Sequence, residues 1–196
     1  MLRTKEVKMG AVTVVEDART VFLVGEIDDE TSAAVCIALL TMEAQNPDER
    51  IKLMINSPGG STAGWQIADT VKMLGVETIC LGQTCSMAAL ILIAGKPGCR
   101  SILPHGRVMF HQPLAMSPFQ QASDFIIQAQ ELQRRKDEMV EFISKCTGKT
   151  IDQVAADCDR NHWFNAEEAV GYGIVDYIET GILHNVNQDR TTGGKT

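Results

Sequence analysis

No apolar run in this 196-residue sequence is longer than eight residues. A run of that length, Met87 to Ala94, falls far short of the roughly 20 residues needed to cross a bilayer. The opening Met1-Leu2-Arg3-Thr4-Lys5-Glu6 has no apolar stretch behind its charges. No secretory signal is therefore expected, and a cytoplasmic setting follows. Cysteine is sparse: six residues, at 36, 80, 85, 99, 146 and 158, with no C-x-x-C pair. That is too few for a disulfide scaffold, so they read as reduced core thiols. The four histidines, at 105, 111, 162 and 184, form no i, i+4 pair, and no cysteine is placed to join them. No metal site is expected. Basic residues are outnumbered 18 to 25, and a net charge of −7 repels phosphate. Nucleic acid and anionic membrane are thus poor partners. There is no internal repeat, low-complexity tract or linker, so the expectation is one domain around a single core.

Apolar periodicity alternates between 2 and 3.6. Thr20 to Val24, Ile51 to Ile55, Val76 to Leu81, Arg107 to Phe110 and Ile174 to Ile178 read as strands. Thr31 to Gln45 and Ala63 to Leu74 read as amphipathic helices, the first with Asp28, Asp29 and Thr31 available as caps. Met87 to Ala94 is apolar on all sides and should be a buried helix. From about Gln120 to Cys146 runs one long helix, with Phe125, Ala129, Leu132, Met139 and Ile143 in its stripe and Gly148 as its stop. Two short helices follow, opened by Thr150-Ile151-Asp152-Gln153 and by Asn165-Ala166-Glu167-Glu168. Strand and helix in alternation predict an α/β fold with a mainly parallel sheet. A helix that long in a small α/β domain suggests a reach toward a partner, hence an oligomer.

Ligands of parallel sheets bind beyond the carboxyl ends of the strands. Three loops there carry chemistry-bearing residues. Asn56-Ser57-Pro58-Gly59-Gly60-Ser61 offers unobstructed backbone N–H groups for an oxyanion, or else is a plain turn. In Gly82-Gln83-Thr84-Cys85-Ser86-Met87-Ala88, Ser86 stands between a strand and the buried helix, as a nucleophile or as an ordinary N-cap. The G-x-S-x-G elbow is absent, because positions 84 and 88 are Thr and Ala; this argues against an α/β-hydrolase. In Phe110-His111-Gln112-Pro113, His111 directly follows a strand, as a general base or as a hydrogen-bonded loop residue. Together, serine, histidine and glycine cradle are the parts of a covalent acyl-transfer site, still lacking a carboxylate to orient the histidine. Gly194-Lys195-Thr196 imitates the end of a phosphate loop, but Asp189 stands where the first glycine is required.

Four ordered segments carry a resemblance: Asn56-Ser57-Pro58-Gly59-Gly60, Gly82 to Ala89, Arg107-Val108-Met109-Phe110-His111-Gln112-Pro113 and Glu168-Ala169-Val170-Gly171-Tyr172-Gly173-Ile174-Val175-Asp176. Over roughly Val21 to Ile178 the sequence resembles the ClpP family, the proteolytic subunits of Clp proteases. The resemblance implies a ClpP/crotonase-like α/β spiral with a projecting long handle helix at about 120–147. It implies a head domain at 19–183, an N-terminal axial segment at 1–18 and a C-terminal tail at 184–196. Two stacked seven-membered rings are implied, as a homo-oligomer or mixed with a paralogue. A Clp-type ATPase unfoldase that consumes the ATP would be the partner, and unfolded polypeptides the substrate. The subunit itself would hold no cofactor. Ser86 matches the nucleophile and His111 the general base, while the backbone N–H groups of Gly60 and Met87 match the oxyanion hole. Asp159 and Arg160 match a pair linked to ring–ring contact.

Three departures accompany the match. Asn161 stands at the position of the triad aspartate. In a chymotrypsin-type triad that change costs about 10⁴-fold, so weak activity alone is expected. The segment before Val21 is short, and Lys52 and Met54 replace aromatic residues expected at the unfoldase docking pocket. Alternative readings are a largely inactive or regulatory subunit completing mixed rings, and an acyl-CoA enzyme of the crotonase group.

Overall fold

The computed structural model describes residues 6–9, 12–114 and 121–181. Nine strands among them form one sheet: β1 (Glu6–Met9), β2 (Val12–Val15), β3 (Thr20–Val24), β4 (Lys52–Ser57), β5 (Glu77–Cys85), β6 (Arg100–Ile102), β7 (Arg107–Phe110), β8 (His162–Phe164) and β9 (Tyr177–Ile178). The helices are α1 (Asp29–Gln45), α2 (Gly64–Leu74), α3 (Met87–Ile93), α4 (Ala122–Thr147), α5 (Ile151–Asp157) and α6 (Ala166–Tyr172). The path through the sheet runs β1-β2-β3-β4-β5-β6-β9, with β3 through β9 parallel along it and β1–β2–β3 antiparallel. This is the expected mixed α/β fold with a mostly parallel sheet. The N-terminal residues expected as a separate axial segment include β1 and β2, which extend the sheet, and Val12 and Val14 are buried in the core. The expected tail at 184–196 lies outside the described residues.

The sheet forks at β5, which is longer than its apolar run suggests. Its first half, Thr78 to Cys80, pairs with β6, and its second half, Gln83 to Cys85, pairs with β7. Between these halves the register against β4 shifts, from Ile55 opposite Cys80 to Ser57 opposite Thr84. The Asn56 side chain fills the gap by accepting the Gln83 N–H at 3.0 Å. Sequence periodicity ended β5 at Leu81, because the apolar alternation fades where the irregularity begins. The short strands β6 and β8 carry too few residues to show any period.

Helix α3 is buried at all seven positions and packs against α2, α4 and β5. Helix α1 is capped by Asp28, which accepts the Thr31 N–H at 2.8 Å. At α5 the expected reciprocal cap is half formed. Thr150 accepts the Gln153 N–H, while the Gln153 amide donates to Asp157 instead. At α6 both halves of the box between Asn165 and Glu168 are present. Helix α4 differs from its expected stripe: only Met139, Val140 and Ile143 are buried, whereas Phe125 is 62% exposed. Its first two and a half turns therefore stand clear of the head, with Phe125, Ile126 and Ile127 facing outward.

Arg100 and Asp176 tie β6 to the start of β9. The guanidinium donates to both carboxylate oxygens, at 2.7 and 3.1 Å, and Asp176 also accepts the Arg100 N–H at 2.9 Å. A third arm of Arg100 reaches the Cys146 carbonyl at the end of α4. Burial works to raise the Asp176 carboxyl, but the Arg100 hydrogen bonds and charge outweigh it and hold it below its ordinary value. A depressed carboxylate contributes stability above its ordinary pKa and loses it as pH falls through the lowered one. Asp176→Asn is therefore expected to cost about 3 kcal/mol at neutral pH. The deficit should shrink in the acid range, where the wild-type carboxylate protonates. Denaturant midpoints measured across pH check this; a deficit independent of pH would contradict it.

Candidate active site

The carboxyl ends of β4, β5 and β7 lie side by side, because β5 pairs with both of the others. The register Gln83–Arg107, Thr84–Val108, Cys85–Met109 is parallel, and the Ser86 N–H continues it by donating to the Met109 carbonyl at 2.8 Å. Ser86 and His111 thus leave adjacent strands one or two residues beyond the last pairing. Ser86, His111, Gly60 and Met87 all line one cavity of about 350 Å³.

Ser86 has φ 55° and ψ −126°, one of two non-glycine residues with positive φ among those described. That is the backbone of the first residue of a tight primed turn, which costs an L-residue about 1–3 kcal/mol. It stands at the N-cap of α3, yet its hydroxyl caps nothing. The ordinary-cap alternative left open by the sequence is thereby removed. The sharp strand–turn–helix with an unengaged hydroxyl is the same device as a nucleophile elbow, reached without its glycine signature.

The glycine loop is shaped by contact with this turn. A Cβ on Gly59, which has φ 97°, would lie 2.7 Å from the Ser86 Cβ and 2.6 Å from the Cys85 carbonyl oxygen. Gly60 bridges to Ile27: the Ile27 N–H donates to the Gly59 carbonyl, and the Ser61 N–H to the Ile27 carbonyl. That pattern leaves the Gly60 N–H facing away from Ile27. Among the described residues, neither the Gly60 nor the Met87 N–H has a protein acceptor. The loop is therefore not merely a turn, since its Gly60 N–H and that of Met87 at the start of α3 are two free donors lining the cavity of the serine, among the described residues.

The imidazole of His111 has its Nδ1 2.6 Å from the Gln112 carbonyl oxygen. A carbonyl can only accept, so Nδ1 carries a proton, and in the neutral ring that leaves the lone pair on Nε2. The Gln112 side chain reaches the other way and donates to the Asp159 carbonyl at 2.8 Å. Gln112, quoted in the sequence motif without a role, therefore ties the histidine to the loop that holds Asn161. The antiparallel register Val108–Phe164, Met109–Trp163, Phe110–His162, carried one step on, sets His111 opposite Asn161. Asn161 is nevertheless exposed, lies outside the cavity wall and has no hydrogen-bond partner among the described residues.

Neighbouring carboxylates are otherwise engaged. Asp157 accepts from the Tyr172 hydroxyl at 2.8 Å and from Gln153 at 2.9 Å, and lies 3.4 Å from His162 Nδ1. Asp159 and Arg160 are both exposed, 3.8 Å apart, and stand outside the cavity. Burial, with Cys80 beside it, pushes the Cys85 thiol up to about 11, so the sulfur next to Ser86 stays protonated at neutral pH. Among the described residues no cluster of His, Cys, Asp or Glu is arranged to hold a metal ion, and no helix is long and apolar enough to cross a membrane.

A hydroxyl, an imidazole Nε2 and two N–H groups, all without a partner among the described residues and all around one cavity, suit acyl transfer to serine. The family model of the Clp protease matches residues 4–181 of the 196. The match spans every strand and helix described above, the three loops around the cavity included, and by it the chain belongs to the Clp protease family.

Proposed function

We propose that this chain is a proteolytic subunit of a barrel-shaped, ATP-dependent Clp protease, acting in the cytoplasm on unfolded polypeptides. The observation that carries the reading is the strained, uncapping Ser86 in a cavity shared with His111 and two free N–H groups. Ser86 Oγ attacks the peptide carbonyl carbon while His111 Nε2 takes its proton. The electron pair displaced onto the carbonyl oxygen is held by the Gly60 and Met87 N–H groups. Collapse breaks the C–N bond, and His111 returns the proton to the leaving amine. Water repeats the sequence on the acyl-enzyme. The subunit needs no cofactor for these steps; ATP would be used by the partner unfoldase.

Assembly into two stacked heptameric rings is supported by the exposed first half of α4, the handle helix of the family, with its outward Phe125, Ile126 and Ile127. Exposed Asp159 and Arg160 suit a role at the ring–ring contact. Labelling by an active-site-directed fluorophosphonate, lost in Ser86→Ala, tests the proposal; wild-type protein that resists the reagent in every assembly state would end it.

A second reading is favoured by Asn161 and by the neutral acceptor on Nδ1. A carbonyl fixes the tautomer but stabilises imidazolium less than a carboxylate does. The subunit would then be slow alone and complete mixed rings with an active paralogue. Asn161→Ala is expected to change peptide hydrolysis less than about threefold, since the side chain holds nothing. Asn161→Asp is expected to raise kcat of the homo-oligomer about tenfold or more, a fraction of what a triad carboxylate contributes. A wild-type homo-oligomer that is already fast and unmoved by the aspartate would discard the regulatory reading. The crotonase-type alternative has no support at the site, where a serine and a histidine share the cavity with the cradle.

A further inference from the structure

Trp65 lines two cavities at once. One is the Ser86 cavity. The other is a groove of about 450 Å³ between α2 and α4, lined by Asp69, Lys72, Glu138, Glu141 and Phe142 among others. Trp65 is therefore a wall shared by the Ser86 cavity, where Leu90 and Met139 stand with it, and a charged groove. One ring contact holds it there: the indole meets Phe142 edge to face, with centroids 5.1 Å apart, and Lys72 Nζ in turn lies 5.5 Å from the centre of the Phe142 ring. Gly64 packs against the Met87 side chain so closely that no Cβ would fit. The first turn of α2 is thus pinned to the residue whose N–H faces the oxyanion.

We propose that Trp65 sets the upper size of the acyl side chain the site admits, by closing the Ser86 cavity off from the charged groove. The inference rests on the Ser86 reading above. With the acyl carbon on Ser86 Oγ and its oxygen at Gly60 and Met87, the Trp65–Leu90–Met139 end of the cavity is the apolar space offered to the side chain. Removing the indole joins the two spaces. The joined groove offers length to a long stem, and Asp69 and Glu138 to a cationic head, while Glu141 is already paired with Lys145 and Lys72 stands over the Phe142 ring. Trp65→Ala then gains substrates that end the acyl residue in Phe, Tyr or Lys, at the expense of Leu.

The test is a set of fluorogenic peptides differing only in the residue before the cleaved bond. The ratio of kcat/KM for Lys or Tyr over Leu is expected to rise at least about tenfold in Trp65→Ala, the discrimination that a few methylenes of pocket supply. Trp65→Phe should fall between, and it guards against a misfolded alanine variant. Unchanged ratios in either active variant overturn the proposal. A second arm needs no turnover. In a Ser86→Ala, Trp163→Phe background, Trp65 is the remaining tryptophan of the chain's two. Its emission is titrated with product peptides ending in Leu, Tyr or Lys. A response to Leu that is absent for Lys supports the partition, and an emission indifferent to every peptide overturns it. Should wild type resist fluorophosphonate while this emission still discriminates, the proteolytic reading falls and the size limit stands.

Discussion

Ser86→Ala is expected to abolish fluorophosphonate labelling and to lower peptide kcat by about 10²-fold, the loss left for the nucleophile in a triad that already lacks its carboxylate. Its effect on stability separates a nucleophile from a helix cap. The hydroxyl accepts no N–H of α3, so its loss should leave the unfolding free energy within about 0.5 kcal/mol. A capping serine would instead cost about 1 kcal/mol. Alanine keeps the Cβ and with it the unfavourable φ of 55°. Glycine removes both, so Ser86→Gly should be equally inactive yet more stable by about 1 kcal/mol, raising Tm by about 2–4 °C. An inactive variant that gains stability marks a position where strain is maintained for function. Two variants losing stability together would return Ser86 to a structural role.

Gly60→Ala should be as damaging to turnover by a different route. A Cβ there would lie 2.7 Å from the Ile27 nitrogen and collide with the Ile27 carbonyl, both of them backbone atoms with no rotamer to change. The loop must move, and the Gly60 N–H moves with it. Loss of one oxyanion donor lowers kcat by about 10²–10³-fold. KM should change little, because the donor acts on charge that develops only in the transition state. Strain and lost pairing with Ile27 should add about 1–3 kcal/mol of destabilisation. A variant with wild-type kcat would show that the oxyanion lies elsewhere.

Much of the fold was legible because its periods are strong. Asp29–Gln45, Gly64–Leu74 and Ala122–Thr147 lie within two residues of their expected helices, and β7 coincides with its expected strand. What was not legible had no local signature. β6 and β8 are three residues each, and β1 and β2 are four each, β2 placed by pairing with β3 and β1 by pairing with β2. The outward face of Phe125 could not be told from a buried stripe, since periodicity reports which residues share a face and not whether anything covers it.

At the site, the sequence by itself determined the residue types and their order: a glycine pair, a serine and a histidine, each one turn beyond a strand. It also determined that position 161 carries no charge. Only the tertiary structure decided which of these groups meet. Pairing of β5 with both β4 and β7 brings three loops to one cavity, and such pairings span tens of residues that no local pattern encodes. The same holds for the roles that emerged late. Gln112 holds the imidazole through its backbone carbonyl, and Trp65 lines two cavities. A carbonyl is common to every residue and an apolar ring suits any core, so neither function leaves a mark in the one-dimensional code.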